Sequence, residues 1–163
     1  MESKAYFKSP LGILEIVATL RGIRSIKFVE RRGKNSDPMP DLLENCLQQL
    51  AEYFEGNRRE FKLPFDWSGE PEFHQEVWRE LLEIPYGHTT SYLAIAEKLG
   101  NPKAVRAVGQ ANAHNPIAIV VPCHRVIAKS GDLQGYFYGL DVKRQLLELE
   151  NPMSFARQGD LFS

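Results

Sequence analysis

The chain has 163 residues, of which 43% are hydrophobic and 25% charged, and a formal net charge of −1. That suits one ordinary soluble domain or two small ones sharing a core. It excludes a bilayer span, since no apolar run approaches the roughly 20 residues required, and its near-zero total charge argues against a strongly basic nucleic-acid binder.

Met1-Glu2-Ser3-Lys4 lacks the regions of a signal peptide. The two cysteines, Cys46 and Cys123, form neither a disulfide framework nor a metal-ligand spacing with His74, His88, His114 or His124. A reducing, cytoplasmic setting without metal is therefore expected.

Residues 5–8, 11–18 and 22–29 are short β-branched or aromatic segments broken by Ser9-Pro10 and Arg21-Gly22, which predicts a small antiparallel meander. Residues 31–40 read as a loop. From 41 to 54, Leu43, Cys46, Leu47, Leu50 and Tyr53 follow helical spacing, so Cys46 belongs to a buried stripe. The pattern changes after Gly69, where a domain boundary is expected. This divides the chain into 1–69 as an α/β support, 70–152 as the functional part and 153–163 as a flexible tail.

In the second part, 71–83 reads as a helix. Thr89-Thr90-Ser91 caps another from Tyr92 to about Leu99, and Asn101-Pro102 opens a third that runs to about Ala113. Two short helices about Gly100 make a helix-turn-helix pattern. The later helix carries Ala104, Ala107, Gly109, Ala111 and Ala113, with Arg106, Gln110 and Asn112 projecting. So smooth a face suits either close approach to a narrow groove or tight internal packing. Between residues 85 and 131 five cations, among them Lys98, Lys103 and Arg106, stand against one acid, Glu97. Local phosphate contact is compatible with that balance.

The apolar run 117–121 reads as a buried strand ending at Pro122. It delivers Cys123 and His124 side by side, either as a structural pair or as a thiol with the imidazole that activates it. A turn at 129–132 follows. Tyr136, Phe137 and Tyr138 stand between Gly135 and Gly139, which suits a loop lining a pocket for a flat ring. A closing helix over 141–150 packs through Val142, Leu146, Leu147 and Leu149, and Glu150 at its end is placed to orient a histidine. That would complete a Cys-His-Glu relay of nucleophile, base and orienter.

Asn115-Pro116 and Pro122-Cys123-His124-Arg125-Val126 resemble the active-site signature of the O6-alkylguanine-DNA alkyltransferases. The similarity extends upstream through Ser91-Tyr92 and Gly100-Asn101-Pro102-Lys103-Ala104-Val105-Arg106-Ala107-Val108-Gly109. Downstream it takes in Gly135-Tyr136, Gly139-Leu140 and Leu146-Leu147-Glu148-Leu149-Glu150. The resemblance implies a ribonuclease H-like α/β domain with a three-stranded antiparallel sheet and a helix. A mostly α, winged helix-turn-helix-like domain would follow it.

It also implies repair of duplex DNA by one irreversible transfer of the alkyl group from O6-alkylguanine, and from O4-alkylthymine, to Cys123. The protein would act as a monomer without cofactor. His124 would act as base through a water, Glu150 would orient it, and Tyr92 would protonate the leaving guanine. Arg106 would replace the flipped nucleotide, with Lys103, Ala104, Ala107, Gln110 and Arg125 also against DNA. Asn115, Val126, Tyr136, Phe137 and Tyr138 would form the substrate pocket. The alternative is a binding module that recruits other repair factors without transfer, against which Cys123 weighs. The family commonly has two glycines where this chain has Tyr138-Gly139, so methyl is expected to react well and benzyl-sized groups poorly. Finally, Gln158, Leu161 and Phe162 resemble the short peptide with which bacterial repair proteins bind the sliding clamp; a tail folded back on its domain is the alternative.

Overall fold

Three strands, β1 (Ser3–Ser9), β2 (Gly12–Ala18) and β3 (Ile23–Val29), pair in sequence order as an antiparallel meander. The computed structural model describes residues 1–128 and 135–153. Those residues divide into two units, each described by itself. In the first, Phe7, Leu14 and Phe28 are in register across the sheet and share one face. A bulge between Val17 and Ala18 shifts the register at the far end. Helix α1 (Asp41–Phe54) covers that face, with Leu43, Cys46, Leu50 and Tyr53 fully buried on one stripe and Phe54 stacked on Phe7 at 6.0 Å. Each buried Leu or Ile contributes roughly 1.5–3 kcal/mol, which is what holds so short an α/β layer together.

The segment Pro116–Val120 belongs to this first unit, a return that a division after residue 69 does not include. Ile117 bridges Ile26 in parallel, Ile26 N donates to Pro116 O at 3.0 Å, and Ala118 N donates to Ile26 O at 3.0 Å. The apolar run is buried as expected, but it is not a strand. Val120 N bonds Ala118 O and Cys123 N bonds Val121 O, both at 2.8 Å, and Ile119 has φ 72°. A β-branched residue in the left-handed region is strained by about 1–3 kcal/mol. The run therefore satisfies its backbone through one bridge and tight turns.

The second unit is mostly helical: α2 (Glu72–Leu82), α3 (Tyr92–Lys98), α4 (Val105–Ala113) and α5 (Leu140–Glu150). Ser91 caps α3, its Oγ accepting from Ala94 N at 3.0 Å. The expected Asn101 cap is not formed, because residues Pro102–Ala104 first make a 3-10 turn and α4 begins after it. Trp78, fully buried, donates from Nε1 to Ala111 O at 2.8 Å and so ties α2 to α4. A two-residue parallel ladder joins β4 (Thr90–Ser91) to β5 (Val126–Ile127). It sets the start of α3, and hence Tyr92, against the segment that follows Cys123.

Candidate functional site

Cys123 opens a 3-10 turn (Cys123–Arg125) rather than ending a strand. It is 6% exposed and borders a cavity of about 280 Å³. Tyr92, Asn112, Asn115, Tyr136, Phe137 and Tyr138 line that cavity, with Gly109, Ala113 and Gly135 where the wall is small. Burial pushes the Cys123 thiol up from its ordinary value; the Asn115 side chain, the Lys143 charge and the Tyr136 hydroxyl pull the other way. The thiolate is thus disfavoured at rest but has polar surroundings ready for it.

His124 is fully buried, and its Nε2 lies 2.7 Å from Glu150 Oε2. Burial opposes ionisation of Glu150, but the His124 and Arg125 contacts outweigh it and hold the carboxyl well below its usual range. An ionised carboxylate only accepts, so Nε2 carries a proton, and Nδ1 is the ring nitrogen turned away from Glu150. Nδ1 is buried and has no partner among the described residues.

Arg125, expected at the DNA surface, points inward instead. Its Nε donates to Glu150 Oε1 at 2.7 Å, Nη2 to Glu150 Oε2 at 3.0 Å and Nη1 to Ile84 O at 2.8 Å. Its guanidinium also lies 5.8 Å from the Tyr86 ring centroid. A buried carboxylate needs a compensating cation, and the Arg125 guanidinium supplies one. Of the other expected DNA contacts, Lys103, Arg106, Ala107 and Gln110 are exposed and Ala104 is half-buried. The opposite stripe of α4, with Val108, Ala111 and Asn112, is buried. The internal-packing reading thus holds for one side of this smooth helix, and the other side is open to solvent.

Asn112 does not project outward. It donates from Nδ2 to Cys123 O at 3.4 Å, while Asn115 Nδ2 donates to Val121 O at 2.8 Å. Two amides therefore brace the backbone on either side of Pro122. Val126 is buried directly after the turn. Tyr92 is half-buried, and burial first, then the nearby Cys123, raises its hydroxyl above the ordinary value. Burial likewise holds the Tyr136 hydroxyl well up. Tyr138 packs edge-on to Tyr136 at 5.8 Å and to Phe137 at 5.0 Å. Phe137 is 77% exposed, so it forms the rim rather than the wall.

Lys143 is a site residue the sequence reading passed over. It is fully buried, and its Nζ donates to Val126 O at 2.6 Å and Gly135 O at 3.2 Å. The ammonium thereby links the segment after the nucleophile to the aromatic loop. Burial lowers its pKa to about 8, against the opposing pull of Cys123. Helical spacing held the signal: α5 buries Lys143, Leu146, Leu147 and Glu150, leaving the expected Val142 and Leu149 half-buried. The turn at 129–132 and the tail residues Gln158, Leu161 and Phe162 lie outside the described residues.

Comparison with known proteins gives two family matches. Residues 72–152 match the 6-O-methylguanine DNA methyltransferase DNA binding domain, and residues 3–67 match its ribonuclease-like domain. The methylated-DNA--protein-cysteine methyltransferase of Methanosarcina acetivorans is 44% identical over 153 residues, covering 90% of this chain and 96% of that one. The protein of the same name from Mycolicibacterium paratuberculosis is 47% identical over 152 residues, covering 91% and 92%. The crystal structure of Mycobacterium tuberculosis O6-methylguanine methyltransferase aligns with TM-score 0.81 at 44% identity, covering 93% and 94%. The Mycobacterium tuberculosis OGT in complex with DNA aligns with TM-score 0.81 at 42% identity, covering 90% and 92%.

Proposed function

This chain belongs to the 6-O-methylguanine DNA methyltransferase family, and from that premise we propose that Cys123 takes the alkyl group of O6-alkylguanine in DNA, once per molecule. The observation that carries the reading is a buried thiol bordering an aromatic-walled cavity, next to a buried histidine held by a glutamate. A histidine with a basic, buried Nδ1 is suited to take the thiol proton through one water. Sulfur then attacks the alkyl carbon in line, the S–C bond forming as the C–O6 bond breaks. Guanine leaves with a proton from the Tyr92 hydroxyl at N3, and the imidazolium returns its proton to restore the tyrosine. The product is a thioether, which no group around the cavity can hydrolyse, so no turnover follows and no cofactor is required.

A duplex hides O6 inside the base stack. The nucleotide must therefore be rotated out at a cost of a few kcal/mol, and Arg106, exposed on α4, is the side chain we assign to fill its place. The same cavity is assigned O4-alkylthymine, whose alkyl-oxygen bond presents the same leaving chemistry. The two buried free cysteines suit a reducing, cytoplasmic setting, and the protein is assigned to act as a monomer. The tail motif Gln158, Leu161 and Phe162 is assigned to a sliding clamp on its sequence alone. Deletion of 158–163 is expected to abolish clamp binding, and unchanged or absent binding would sink that assignment.

The central test is incubation with a duplex carrying labelled O6-methylguanine. One equivalent of label should appear on the protein and none on Cys123→Ala. Tight binding with unchanged DNA would instead identify a recognition module.

A further inference from the structure

The transfer reading leaves unused a stretch richer in charge than the site itself. Between Arg21 and Lys34 stand six basic residues and one acid, Glu30. The first unit determines where they go. One sheet face is buried under α1, and in-register partners share a face, so Lys8 and Lys27 lie together on the other and are exposed. The chain after β3 then comes back against the Tyr6 side chain on that face. Gly33 is seated so close to Tyr6 that a Cβ there would collide with the hydroxyl. Asn35 Oδ1 accepts from Tyr6 N at 3.0 Å, Ser36 Oγ accepts from Lys4 N at 2.8 Å, and Ser36 N donates to Lys4 O at 2.8 Å. These bonds tie the strap to the open edge of β1.

Arg31, Arg32 and Lys34 ride on the strap, exposed, and none is paired with a carboxylate among the described residues. Acids nearby include Glu30, the exposed Asp37 just after the strap, and Glu15, which stands cross-strand from Lys27 and already accepts the Tyr6 hydroxyl at 2.8 Å. A merely solvated face would intersperse and pair its charges. Unpaired cations held on a pinned backbone are instead complementary to a run of phosphates, and pinning lowers the ordering cost of binding.

We propose that residues 30–36, with Lys8 and Lys27, bind the sugar-phosphate backbone of duplex DNA, a sequence-independent contact in addition to that of α4. This rests on the reading of the chain as one that acts on DNA. The test is anisotropy titration of an unmodified duplex at several salt concentrations with the full chain. Variants are Arg31→Gln/Arg32→Gln/Lys34→Gln and, separately, Lys8→Gln/Lys27→Gln, each checked for unchanged thermal unfolding. The expected result is a salt slope shallower by about one for each side chain removed and, for the triple variant, about tenfold weaker binding. The rate of label transfer to Cys123 at saturating O6-methylguanine DNA should not change. Salt slopes unchanged in both variants overturn the proposal, including when the strap proves to capture an acidic polypeptide such as polyglutamate. Loss of slope in a protein that never takes label would sink the transfer reading and leave the strap standing.

Discussion

Cys46 and Cys123 are both buried and both hold their thiol protons tightly, yet they stand in opposite chemical situations. Cys46 lies on the apolar stripe of α1, and burial with nothing to oppose it pushes its pKa up to about 12. Cys123 is almost as inaccessible, but Asn115, Lys143 and Tyr136 oppose the same penalty and a cavity opens beside it. Burial alone therefore does not separate an inert cysteine from a reactive one. The difference lies in whether the surroundings hold groups that stabilise the anion when substrate arrives.

The sharpest way to break this comparison is to exchange the roles. Cys123→Ala should lose all label transfer, while Cys46→Ala should transfer at the wild-type rate. Cys46→Ala should also lower stability in a denaturant melt by about 1–2 kcal/mol, as a small core truncation does. Transfer surviving in the first variant would remove Cys123 from the chemistry.

Glu150→Gln comes next in size. It leaves Arg125 buried without its partner, which should cost about 3–5 kcal/mol in the same melt, and slow transfer because the ring of His124 loses its orienting anion. The pH dependence has a definite sign. Glu150 is held below its unfolded value of about 4.3, so its contribution is complete above that value and disappears as pH falls through the folded one. The variant should therefore show a flatter acid limb below about pH 4; an identical limb would remove Glu150 from the network.

Lys143→Met probes the charge facing Cys123. The lysine's folded pKa of about 8 lies below the unfolded value of about 10.4. Between the two, the unfolded chain binds more protons and stability rises with pH. That rise should be missing from the variant's melts. Its Cys123 thiolate, followed by ultraviolet absorbance, should form at higher pH, a change that a purely structural lysine would not produce. The smallest expected effect concerns the rim: Tyr138→Gly should speed inactivation by free O6-benzylguanine several-fold and leave methyl transfer unchanged. Fast benzyl reaction in the unaltered protein would refute the restricted pocket.

Most of the backbone plan was legible along the chain. The meander, α1 and its buried Cys46, the Ser91 cap and the closing helix all follow from local periodicity and punctuation, whose range is a few residues. The pairing of His124 with Glu150 was legible too, since one acid ended a helix that had to pack. Arg125 was misplaced because an arginine beside a basic surface normally faces water, and nothing local signals that Glu150 will require two partners. Lys143 was missed for the same reason, although its place on the stripe with Leu146 and Leu147 marked it.

Composition and spacing along the chain thus settle which segments are helices and strands, which thiol has a histidine beside it, and how the basic residues cluster. They do so because each depends on neighbours in sequence. Which charged and amide side chains turn inward, and where the apolar run 117–121 turns rather than extends, depends on groups many residues away. Arg125 meets Ile84 and Glu150, Lys143 meets Val126, and Ile117 meets Ile26. A buried charge is tolerated only where such distant partners converge on it. That convergence is a property of the folded packing, and it separates Cys123, with its cavity and polar neighbours, from Cys46 on its apolar stripe.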